Sequence, residues 1–170
     1  MTNIETNRTS KISAILPIVE KVFLLLLVLG SVLFLLDVSI SKTVISIGLG
    51  GLAITFFITS FIPIELYNSQ EEADEDQPYG QLHLLSLIIA PKVLWIGSSI
   101  AIFGLLMYLV NPEIQSFHKL LGIGAGSIII CVLLIAIASL NSIKIRKPVQ
   151  LILLRAIPTL MIASYILYFN

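Results

Sequence analysis

Glu20, Lys21, Lys92 and Arg155 are the residues of this 170-residue chain most able to do unusual chemistry, because each stands inside or at the edge of a long apolar run. A charge within a membrane-spanning helix costs about 2.5–3.5 kcal/mol on insertion scales, so its presence asks for a reason. Lysine and arginine can snorkel, lying along the apolar surface and lifting the charged head to the interface. Glutamate is shorter and does this less well, which makes Glu20 the residue of greatest interest. An ion pair between Glu20 and Lys92 or Arg155 would lock spans together, or the four residues would form a polar site opening to one side. Pro17, Pro91 and Pro158 accompany this layer, one in each odd-numbered run.

The other chemistry-bearing residues are sparse. His83 and His118 stand alone, and no H-x-x-x-H or C-x-x-C spacing offers a metal site. The single cysteine, Cys131, has no partner for an intrachain disulfide and reads as a small core residue. No G-x-S-x-G occurs, so catalysis has no positive support, and we expect no enzyme and no cofactor. Gly122-Ile123-Gly124-Ala125-Gly126 heads an apolar run with no strand before it, which argues against a nucleotide loop. Gly122 with Gly126, and Gly97 with Ala101, instead form small-x-x-x-small steps that let helices approach closely, expected here between hairpins.

The elements that carry these residues follow from composition. Apolar residues make up 57% of the chain and charged residues 12%, far from the quarter charged of an average soluble domain. A chain this short cannot bury so much apolar surface in its own core. The lipid bilayer is therefore its first partner. A crossing helix needs roughly twenty apolar residues. Thr43 to Ile64, Val93 to Pro112 and Leu120 to Ile143 qualify without a charge, and Val22 to Leu36 qualifies if its flanking charges reach the interfaces. Val149 to Phe169 qualifies only if Arg155 is tolerated, so the expectation is an all-α bundle of five spans, or four should the last not cross. Trp95 and the tyrosines near span ends read as interfacial anchors.

The chain also echoes itself. Lys21-Val22-Phe23-Leu24 and Lys92-Val93-Leu94-Trp95 open apolar runs about seventy residues apart, and each is followed by a second run with a glycine-rich start. This reads as a duplicated hairpin, 12–66 and 82–143, preceded by a disordered 1–11 and joined by an acidic loop, 67–81. Residues 144–170 supply a basic loop and a closing helix. Five acids in the six residues 71–76 hold the loop in water, with a basic partner or a divalent cation as its possible ligand. Neither the alternating ligands nor the central glycine of a calcium loop is present.

Basic residues in short loops set orientation. One side receives Arg8, Lys11, Lys144, Arg146 and Lys147, and the other only Lys42 and Lys119. The expectation is a cytoplasmic N-terminus and a periplasmic C-terminus in a bacterial inner membrane. Zero net charge gives no reason to expect nucleic acid as a partner. Partner subunits or further copies of this chain are expected instead, with a small homo-oligomeric transporter or channel as the alternative to a scaffold.

Leu29-Gly30-Ser31-Val32-Leu33-Phe34, then Ile45-Ser46-Ile47-Gly48-Leu49, then Phe61-Ile62-Pro63-Ile64-Glu65 resemble the transmembrane hairpin of GldL, the gliding-motility and type 9 secretion motor family of Bacteroidota. The resemblance implies an inner-membrane hairpin. In that family a glutamate in the second span is implicated in proton-driven work and a lysine closes the first. Here those positions are Leu52 and roughly Leu35. The long cytoplasmic tail of that family is missing too, so the resemblance implies the architecture without the motor.

Overall fold

A computed structural model of the protein describes residues 3–62, 85–113, 116–141 and 147–169. It is an all-α bundle of α1 (Asn3–Leu35), α2 (Ser41–Phe61), α3 (Ala90–Val110), α4 (Ser116–Leu140) and α5 (Lys147–Phe169), with a π-helical turn at Leu85–Ile89 leading into α3. All five helices are long and apolar enough to cross a membrane, the first over Ile15–Leu35 and the last over Val149–Phe169. The protein is a polytopic membrane protein. Arg155 does not interrupt the fifth helix, which is long and apolar enough to cross.

Helix boundaries follow local chemistry. Residues 3–11, expected to be disordered, belong to α1, because no glycine or proline stops a helix from propagating outward from the span. Pro17 is accommodated within α1 and Pro158 within α5. Pro91 lies in the first turn of α3, where its missing N–H costs least.

α1 ends in a Schellman motif. The Val38 amide donates to the Leu33 carbonyl at 3.0 Å and the Asp37 amide to that of Phe34 at 3.1 Å. Asp37 takes the left-handed conformation at φ 55°, a place usually given to glycine. α3 ends differently. The Asn111 amide donates to the Met107 carbonyl, the Glu113 amide donates to Asn111 Oδ1 at 3.2 Å, and Pro112 blocks continuation.

Despite this different chemistry, both connectors are five residues long, 36–40 and 111–115. A shift of 75 residues carries Leu35 onto Val110 and Ser41 onto Ser116. The crossings agree: Gly30 meets Ile45 and Gly48 meets Leu27 in one hairpin, while Gly104 meets Leu121 and Gly124 meets Ala101 in the other. The two hairpins thus share an antiparallel register. The lysine motif used to align them is spaced by 71, one helical turn short of this geometric equivalence, which pairs Glu20 with Trp95 instead.

α3 is the central helix. It packs on α2, α4 and α5, and half of its span is buried, against 11% for α1 at the edge. Helices apolar all round pack by close approach rather than by a hydrophobic drive. The tightest approach to another helix's backbone is at Gly124, where an added Cβ would stand 2.6 Å from the Ala101 nitrogen. Gly97 sits against Ser127 and the Gly124 carbonyl. Gly122 and Gly126, expected to pack, have open space where a Cβ would stand. The helical period brings Gly124 inward, and its neighbours two residues away point elsewhere. The small residues Gly97 and Ala101 also work within the second hairpin rather than between hairpins. The joint between hairpins is made by the Ser99 hydroxyl, which donates to the Ala53 carbonyl at 2.7 Å, and by Phe56 edge-on to Trp95 with centroids 4.6 Å apart.

Candidate functional site

Glu20, Trp95 and Arg155 meet in one place. They are the sixth, sixth and seventh residues of the spans Ile15–Leu35, Ala90–Val110 and Val149–Phe169. At 1.5 Å per residue each Cα lies roughly 9 Å inside its span. α1 and α3 run parallel through the antiparallel hairpins, and the short α4–α5 connection brings α5 in alongside.

Arg155 Nη1 stands 3.1 Å from Glu20 Oε2. The Glu20 side chain is 9% exposed and that of Arg155 44%. The Arg155 guanidinium carbon lies over the Trp95 ring, 5.9 Å from its centroid, so the indole face supports the cation. Phe56 packs edge-on against the same indole. α1 is not among the helices that pack along α5. The ion pair therefore clasps two elements that share little else. Pairing offsets the insertion penalty of both charges, since neither ion is left alone in a low-dielectric layer.

The other two expected members behave differently. Lys21 is exposed on α1. Lys92 is half-buried and makes no ion pair among the described residues, because Arg155 occupies the Glu20 carboxylate. Of the four charges, the structure brings two together.

Trp95 is the residue that sequence reasoning misplaced. It was expected to anchor the interface, yet it is 5% exposed and carries the cation. One signal for it existed, the 75-residue shift that sets it at the position of Glu20. Of the tyrosines, Tyr165 and Tyr168 are exposed, whereas Tyr108 is half-buried against Phe117 at 5.0 Å. The acidic loop, His83, Lys144 and Arg146 lie outside the described residues.

The hydroxyls inside the spans are turned back on the backbone. Ser46, Thr55, Thr59 and Ser127 donate to carbonyls four residues earlier on their own helices, at 2.7–2.8 Å. Ser99 is spent on Ala53. Each of these hydroxyls has spent its one donor and keeps only acceptor lone pairs. Two recesses, of about 270 and 250 Å³, are shallow and almost wholly apolar. One lies between α1 and α2 near Val19 and Thr55, and the other between α2 and α3 near Phe57 and Phe103. No group of three His, Cys, Asp or Glu side chains converges among the described residues. Leu52, which the GldL resemblance aligns with the motor glutamate, is buried in the apolar core, and Leu35 is exposed.

The site as built can hold two helices together and neutralise a charge within the membrane. Its guanidinium can also offer further N–H donors outward. Comparison with known proteins finds no matching family model, no matching curated protein and no matching solved structure.

Proposed function

We propose that this chain is a non-enzymatic accessory or scaffold subunit of a larger membrane complex. The committed polar groups of the interior carry this reading: the Thr55, Thr59 and Ser99 hydroxyls donate to backbone carbonyls, and the buried Glu20 carboxylate meets an arginine. A bundle of this kind offers its neighbours a shaped surface rather than a passage. Its edge helix α1 presents an almost wholly exposed apolar face on which a partner's spans can lie. The basic residues favour a cytoplasmic N-terminus with the C-terminus on the opposite side, and the GldL resemblance favours a bacterial inner membrane, which makes that side periplasmic. The acidic segment 71–76 would then dock a basic cytosolic partner.

One observation favours a different reading. A buried carboxylate paired with an arginine is also a component of proton and ion carriers. Reconstitution into vesicles separates the two. A scaffold gives proton and ion fluxes no greater than protein-free vesicles. A flux that the wild type carries and Glu20→Gln loses, with folding intact, would overturn the scaffold reading and establish a homo-oligomeric transporter.

A further inference from the structure

We infer that Arg155 holds the phosphate of a membrane phospholipid on the side of its guanidinium that Glu20 leaves open. The inference rests on the chain being a membrane protein and not on its role as a subunit.

A guanidinium has five N–H donors in a planar fork and no acceptor. Among the described residues, Arg155 Nη1 stands against Glu20, and the guanidinium lies over the Trp95 ring, a contact that takes up no N–H. Its side chain is 44% exposed, so the free part of the fork points out of the bundle. Donors left unmatched in hydrocarbon each cost several kcal/mol, so the fork requires an acceptor. α5 contributes to reaching one. The Cα–Cβ bond tilts toward the helix N-terminus, and the near end of the span is that N-terminus. The side chain therefore rises from its roughly 9 Å depth toward the headgroup layer.

The neighbours decide between a lipid and a soluble anion. Deeper on the same face of α5, Pro158 and Ile162 are exposed, an apolar surface along which acyl chains can lie directly below the cation. Leu151, one turn nearer the interface, is 55% exposed, and a dissolved anion would have to pass it to reach the fork. Phosphate oxygens match the arginine fork two at a time, which a lysine cannot reproduce. Trp95 prevents the guanidinium from swinging inward, and Glu20 fixes the edge it presents.

The test is native mass spectrometry of the purified full chain, titrated with phosphatidylglycerol or with diacylglycerol of the same acyl chains. The expected result is retention of phosphatidylglycerol at least about tenfold above diacylglycerol, the scale of one or two charge-assisted hydrogen bonds. Glu20→Gln frees donors and is expected to keep or raise that preference. The double variant Glu20→Gln with Arg155→Gln keeps a neutral hydrogen-bonded pair and should bring phosphatidylglycerol down to the diacylglycerol level. Should the double variant fail to fold, Arg155→Lys retains the charge without the fork, and a loss of about tenfold is expected. Equal retention of the two lipids by the wild type overturns the inference. So does undiminished preference in the double variant, or in Arg155→Lys if that stands in for it. Displacement of the lipid by millimolar inorganic phosphate would reveal a soluble-anion site and overturn the lipid as occupant.

Discussion

Glu20 and Arg155 contribute unequally to the pair they form, because one is buried and the other half open. Arg155→Gln leaves a carboxylate uncompensated in the bundle. Glu20→Gln leaves a guanidinium that can still reach the interface. Thermal melting in a mild detergent should therefore show Arg155→Gln as the more damaging change. A loss of about 2–3 kcal/mol is expected, below the 3–5 found for fully buried pairs, with Glu20→Gln near 1 kcal/mol. The reverse order would mean that Glu20 has a second partner. The pair itself could be read from the sequence as one of two possibilities, since a carboxylate in a span needs a cation and two stood at the right ends. The choice of Arg155 over Lys92 could not, because it depends on the angular position of α5 around α3. Trp95 was lost for a related reason. Tryptophan near a span end suits an interface and a cation platform equally well, and only its neighbours distinguish them.

Helix positions along the chain were legible and helix faces were not. Apolar run length placed the ends of α2, α3, α4 and α5 to within about four residues, the last on condition that Arg155 is tolerated, but began the first span at Val22 where the structure begins it at Ile15. The faces could not follow, because α4 is apolar around its whole circumference and the period carries no inward direction. Hence Gly122 and Gly126 were expected at the contact that Gly124 makes. Gly124→Ala forces a methyl into the Ala101 backbone and is expected to destabilise by about 2 kcal/mol or more. Gly122→Ala meets no atom within 4 Å and should leave the melting temperature of the isolated protein unchanged or slightly raised. Should Gly122→Ala prove harmful in the native membrane but not in the isolated protein, that face is covered by another chain. The connectors provide a separate check. Asp37 holds a left-handed turn that glycine takes without strain, so Asp37→Gly is expected to stabilise by up to about 1 kcal/mol, and Asp37→Val to destabilise by a similar amount. Equal stability of the two variants would show that the Schellman turn is not formed.

At the scale of the molecule, the central α3 and the edge position of α1 define two kinds of surface. α3 is enclosed by its neighbours, while α1 is tied to α2 along its length and to α5 by the Glu20–Arg155 clasp. The matching registers of the two hairpins give a bundle whose halves are geometrically alike, with α5 as the added element. Hydrophobic content alone made membrane residence legible and narrowed the spans to five or four. The role of the bundle was not legible in the same way, because it depends on what lies against the exposed helices. The most direct measurement is purification of the tagged chain from its own membrane in a mild detergent, with particle mass and the identity of every component determined together. A scaffold is expected to emerge in fixed stoichiometry with a different membrane protein, in a particle heavier than any plausible multiple of this chain alone. A particle made only of copies of this chain, stable through the same purification, would contradict the subunit role.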